Sequence, residues 1–99
     1  MAGADSGTPD KFEQAADIFK GFSNPIRIRI IHALTGGSQR VMDLAKMLNC
    51  SQPIVSQQLK ILKSAGIVQR IRVDKTFVYE LADPQYADII RCMRGCLKM

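Results

Sequence analysis

The chain has 99 residues, 46% hydrophobic and 23% charged, which suits one small folded domain, since typical domains run to roughly 100–150 residues. Fourteen Lys and Arg against nine Asp and Glu give a net charge of +5, pointing to an acidic partner, nucleic acid first. Three cysteines with no Cys-x-x-Cys disfavour a disulfide scaffold and a zinc ribbon, and no apolar run approaches the ~18–20 residues needed to span a bilayer.

Residues 1–7 are small and polar and read as a flexible N-terminal tail ahead of a domain over 8–99. They lack the basic and apolar regions of a signal peptide, so a cytoplasmic location and no membrane partner are expected. From Thr8 onward, capping residues stand directly before prolines, at Thr8-Pro9, Asn24-Pro25 and Asp83-Pro84. A side-chain oxygen at N-cap accepts from an orphan N–H, and proline at the next position has no N–H to orphan. Each pair therefore predicts a helix start.

The first helix is expected from about Pro9 to Phe22, with Phe12, Ala15, Ala16, Phe19 and Phe22 as its apolar stripe. A second runs from Pro25 to about Thr35, where Gly36-Gly37 stops it. Its Ile26, Ile30, Ala33 and Leu34 are expected to face a core, and Arg27 and Arg29 to point elsewhere. A third covers about Val41 to Leu48, with Leu44, Met47 and Leu48 inward. After a short break, Ser51 is placed to cap a fourth helix that ends near Ser64, before Gly66. The apolar period then changes to 2. Ile67–Val73 and Thr76–Leu81 read as two strands joined at Asp74-Lys75. Asp83-Pro84 opens a last helix through Cys96 or beyond. The fold class is thus mainly α with a small β-hairpin: a winged helix-turn-helix of five helices plus a two-stranded wing.

On the fourth helix Gln52, Pro53, Ser56, Gln57, Lys60 and Lys63 share one arc, while Ile54, Val55, Leu59, Ile61 and Leu62 fill the rest, interrupted only by Gln58. Such an arc has the chemistry of major-groove readout. Glutamine pairs bidentately with adenine, serine bonds donors or acceptors, and lysine meets phosphate or guanine. The Ser51 hydroxyl and the helix N-terminus suit a phosphate. The hairpin adds Arg70, Arg72 and Lys75, with the arginines opposite Ile71 and Val73. A polar helix face is by default only solvated; the conjunction of turn length, polar arc, basic hairpin and positive charge makes double-stranded DNA the expected partner.

Asn24-Pro-Ile-Arg-Ile-Arg-Ile-Ile-His-Ala-Leu34, Asp43-Leu-Ala45, Ser51-Gln-Pro-Ile-Val-Ser-Gln-Gln-Leu-Lys-Ile-Leu62, Ala65-Gly-Ile-Val68 and Phe77-Val-Tyr79 resemble the ArsR/SmtB family of bacterial repressors, over about Phe12 to Leu97. The resemblance implies a winged-helix homodimer that represses by binding a palindromic operator and is released by a metal or another inducer. It also implies that Gln52, Ser56 and Gln57 face the major groove. Of the family's sensor sites, the thiol site before the Asp-Leu of the third helix is missing here, where Arg40-Val41-Met42 stands. The zinc pattern Asp-x-His, ten residues, His-x-x-Glu reads Asp83-x-Gln85, ten residues, Cys96-x-x-Met99, a poor nitrogen/oxygen set.

The cysteines offer another route. Cys92 and Cys96 stand at i and i+4 on the last helix, beside an apolar seam of Tyr86, Ile89, Ile90, Met93 and Leu97. With Phe12 and Phe19 of the first helix, that seam is the expected dimer interface. Paired thiolates would suit zinc, cadmium, cuprous ions or arsenite, As(III), or a thiol-reactive inducer. The plainer alternative is that both cysteines are small hydrophobes at a seam. Cys50 is expected to be structural, His32 a packed or surface residue, and Met42, Met47, Met93 and Met99 core filler or frayed end. Two further readings stay open: a repressor of this family with no metal site, and a winged-helix protein-interaction module. Enzyme chemistry has no support in a chain with one histidine and no phosphate-binding glycine loop.

Overall fold

Helix starts follow the side chains able to cap them. In the computed structural model, which describes residues 10–98, Asp10 caps α1 (Lys11–Gly21) by accepting from the Glu13 N–H at 2.8 Å. Asn24 caps α2 (Pro25–Leu34), its Oδ1 accepting from the N–H groups of Ile26 and Arg27 at 2.9 and 3.2 Å. Helix α3 (Val41–Leu48) has no side-chain cap. Ser51 caps α4 (Gln52–Ser64) through the Ile54 N–H, and Asp83 accepts from the Gln85 N–H at 2.8 Å at the start of α5 (Gln85–Leu97). The expected tail 1–7, the Thr8-Pro9 cap and Met99 lie outside the described residues. The structure corrects the first boundary: Asp10 is the cap, and Gly21 rather than Phe22 is the last helical residue.

Strands β1 (Val68–Val73) and β2 (Thr76–Leu81) pair antiparallel from Val68↔Leu81 to Val73↔Thr76. Asp74 takes a left-handed φ of 56° in the two-residue turn, a conformation that aspartate tolerates better than most side chains. Gln39 adds a bridge that the sequence did not signal. Its N–H donates to Tyr79 O at 2.9 Å and its carbonyl accepts from Tyr79 N–H at 2.8 Å. The loop after α2 thereby ties down the base of the hairpin.

One core gathers the inward faces of the helices around α2. Ile30, Ile31 and Leu34 meet Leu44 and Ala45 of α3, Val55, Leu59 and Leu62 of α4, Ile67 and Val68 at the root of the wing, Phe22, and Ile90 of α5. Burying a branched aliphatic side chain contributes about 1.5–3 kcal/mol, so this cluster is the main source of stability. Gly21 lies where α1 crosses the root of the wing, and a Cβ there would stand 2.3 Å from Ile67 Cδ1. A larger residue there would force the Ile67 side chain to shift.

Several expectations about facing are corrected. Arg27 does not point away: it is buried at 9% exposure. Met47 and Ile54, expected on the core side, are 56% and 42% exposed. Ile31, left out of the expected core, is fully buried. Helix α1 turns little of its stripe inward, with Phe12 and Phe19 exposed and only Phe22 in the core.

Candidate nucleic-acid interface

The α3–α4 turn is built from three residues. Asn49 adopts φ 53° and ψ 45°, a left-handed position that asparagine occupies more readily than most non-glycine residues. This lets the Cys50 N–H close back on Ala45 O at 3.0 Å. Ser51 then returns to extended backbone and caps α4. Val55, Leu59 and Leu62 are fully buried on one side of that helix. Ser51, Gln52, Ser56, Gln57 and Lys60 are all exposed on it, and so is Lys63. Apart from the Ser51 cap, none of these side chains is bound to another of the described residues. The arc is a set of free amides, a hydroxyl and ammonium groups on a helix held rigidly from behind.

What holds it includes a polar clamp. Arg27 Nη1 donates to Gln58 Oε1 at 2.8 Å, while Nε and Nη2 donate to Gly21 O at 3.1 Å and Lys20 O at 2.9 Å. Nη2 also approaches Ser23 Oγ at 3.5 Å. One guanidinium thus ties the end of α1 to α2 and to the middle of α4. The sequence showed both halves as exceptions, an arginine in an apolar helix and a glutamine on an apolar face. Nothing in either exception indicated that they meet.

On the wing, Arg70, Arg72 and Lys75 are exposed. Register sets Arg72 opposite Phe77 and Arg70 opposite Tyr79. The guanidinium carbons of Arg70 and Arg72 lie 4.4 and 5.7 Å from the Phe77 ring centroid, within cation–π range. Phe77 itself is 43% exposed. Sequence reasoning missed this aromatic, although the two-residue turn at Asp74-Lys75 already places it across from Arg72. Glu80, on the other face, accepts from Gln69 Nε2 at 2.6 Å.

The thiols are less organised. Cys92 and Cys96 are both exposed and free on α5; Cys50 is half-buried, its Sγ 3.5 Å from Leu48 O. Among the described residues no three His, Cys, Asp or Glu side chains come together to hold a metal ion. Asp88, the nearest carboxylate on the helix, is engaged by Arg91. Among the described residues, two thiols alone do not complete the three or four protein ligands that zinc takes.

Of the expected interface residues, Phe12, Phe19 and Leu97 are 78%, 73% and 65% exposed. Tyr86, Ile89 and Met93 are half-buried against the protomer's own core, the Tyr86 ring lying tilted to that of Phe22 with centroids 6.5 Å apart. Ile90 is corrected: at 3% exposure it belongs to the core and leaves almost no surface for a second chain.

Known proteins resemble this arrangement. The family model described as "Bacterial regulatory protein, arsR family" matches residues 24–70. The HTH-type transcriptional repressor SmtB of Mycobacterium tuberculosis is 37% identical over 78 residues, 79% of this chain; the chain spans only 58% of that protein's length. An HTH-type transcriptional regulator of Methanocaldococcus jannaschii, MJ1325, is 37% identical over 83 residues, 83% of this chain and 93% of its own. The homodimeric winged helix-turn-helix DNA-binding domain of Mb0332 from Mycobacterium bovis superposes with a TM-score of 0.81 at 23% identity, over 95% of this chain and 91% of that one.

Proposed function

We propose that this chain, which belongs to the arsR family of bacterial regulatory proteins, is a homodimeric transcriptional repressor that binds a palindromic operator in double-stranded DNA in the cytoplasm. The observation that carries the reading is the free polar arc of α4. Gln52, Ser56, Gln57 and Lys60 are exposed above a fully buried opposite face, as base readout requires of a helix inserted in the major groove. Ser51 and the α4 N-terminus meet a phosphate, and the wing brings Arg70, Arg72 and Lys75 to the backbone or the minor groove.

Two half-sites are needed because one such module reads only a few base pairs. The exposed Phe12, Phe19 and Leu97 support a dimer through α1 and α5, and the Mb0332 domain that shares this fold is itself homodimeric. Residues 8–99 act as one unit for DNA binding and dimerisation. Release by a thiol-reactive inducer is supported by the exposure of Cys92 and Cys96. A metal or metalloid would need donors from a second chain.

The test is fluorescence anisotropy of the reduced protein on DNA upstream of its own gene against random DNA of equal length. The expected result is a preference of at least about 10³-fold at physiological salt. Equal affinity for both at every salt concentration would refute operator recognition and favour a protein-interaction module.

A further inference from the structure

A cleft of about 250 Å³ opens between α2 and α5, lined by Ile28, Arg29, His32, Ile90, Met93 and Arg94. Its composition is divided. Ile28, Ile90 and Met93 form an apolar floor continuous with the core. Arg29, His32 and Arg94 are exposed around it, and among the described residues no carboxylate lines the cleft. Among the described residues none of these three side chains has a hydrogen-bond or ion-pair partner, the ion pairs there being Arg40–Asp43 and Arg91–Asp88. Uncompensated guanidinium groups around an apolar hollow repel one another and repel metal cations.

We propose that this cleft binds a small amphipathic carboxylate, an aromatic or medium-chain acid whose tail lies on Ile28, Ile90 and Met93 and whose head is held by Arg29 and Arg94. The arginine fork matches a carboxylate bidentately, and His32 adds a ring N–H donor. The apolar floor selects against inorganic phosphate and nucleotides. The volume lies below the roughly 300–1,000 Å³ of drug-sized sites, which limits the tail to a single ring or a short chain. Neither Cys92 nor Cys96 lines the cleft, so this site is separate from the thiols.

Occupancy has a route to the DNA face. Arg29 follows two residues after Arg27, the residue on α2 whose guanidinium grips Gln58 of α4. A ligand wedged between α2 and α5 acts on the helix that positions the polar arc. This regulatory half rests on the repressor reading above; the binding half does not.

Octanoate serves as the probe, with octanol as the uncharged comparison, titrated into the full chain while methyl resonances are followed by NMR. The expected result is saturable shifts at the Ile28, Ile90 and Met93 methyls with octanoate, and binding about tenfold weaker or less for octanol. Arg29→Ala with Arg94→Ala, both at exposed positions, should keep the fold and weaken octanoate by about tenfold or more. Absence of saturable shifts at those methyls, equal binding of octanol, or unchanged affinity in the double variant would each overturn the site. Anisotropy on the upstream DNA is run alongside. A chain that binds octanoate but shows no preference for that DNA leaves the carboxylate site standing and removes the repressor reading.

Discussion

Replacing Arg27 by alanine removes the clamp between α1, α2 and α4, and the cost can be worked from its partners. Lys20 O is not orphaned, since it also accepts from the Ser23 N–H at 3.1 Å and the Ser23 hydroxyl at 2.7 Å. Gly21 O has no such reserve. The residue four positions on is Pro25, which has no N–H. Gln58 Oε1 also loses its donor, but Gln58 is half-buried and regains water. An unsatisfied buried acceptor costs about 1–3 kcal/mol, and the lost aliphatic stem adds packing. We therefore expect a loss of about 3 kcal/mol, against the 5–15 kcal/mol typical of a whole domain. Gln58→Ala strands one guanidinium N–H and should cost about 1–2 kcal/mol. The double variant should reveal a coupling energy of about 1–2 kcal/mol. Urea unfolding followed by circular dichroism measures all three, at one fixed protein concentration because self-association would add to apparent stability. Arg29→Ala, on the exposed side of the same helix, is the control and should stay within about 0.5 kcal/mol. If Arg27→Ala costs no more than Arg29→Ala, or the coupling is near zero, the clamp does not hold α4.

Other outcomes follow from the same geometry. Gln57→Ala should reduce preference for the operator by about 1–3 kcal/mol while leaving random DNA unaffected; equal losses on both would remove Gln57 from base readout. Lys75→Ala should weaken all sequences alike and lower the salt slope by about 0.9, read from anisotropy across a salt series. Gly21→Ala drives a methyl into the fully buried Ile67 side chain and should destabilise by about 1–3 kcal/mol, whereas Gly95→Ala, which meets nothing within 4 Å, should not lower the urea midpoint. In a thiol titration Cys92 and Cys96 should react at once and the half-buried Cys50 more slowly; three equal rates would contradict the packing of the α3–α4 turn.

Much of the architecture was legible because its signals are local. Asn24 before Pro25, Ser51 before Gln52-Pro53 and the β-branched runs on either side of Asp74-Lys75 each specify a boundary within a few residues. The polar arc of α4 was legible for the same reason, since periodicity alone separates it from Val55, Leu59 and Leu62. What escaped depends on contacts distant in sequence. Arg27 and Gln58 are 31 positions apart, and each satisfies the polarity that made the other look misplaced. Gln39 joins the hairpin by two hydrogen bonds that no alternation of residues announces. Ile90 and Leu97 belong to one apolar stripe in the sequence, yet only a view of α2 tells that the first is spent on the protomer's own core while the second faces out. Met47 and Ile54 are apolar and exposed, and hydrophobicity by itself does not say which apolar residues stay outside.

Phe12 and Phe19 stand clear of the protomer on the helix that enters first. On the dimer proposed above, covering them is what creates the DNA-binding species, so the dose response of repression is set by α1 as much as by α4. Below the dimer dissociation constant, bound operator rises with the square of protein concentration, and halving the protein cuts occupancy about fourfold. A substitution such as Phe19→Glu, which touches no residue of the polar arc or the wing, would flatten that response into silence at cellular abundance and leave it recoverable by overexpression. The steepness of repression would then be set by two phenylalanines that belong neither to the polar arc nor to the wing.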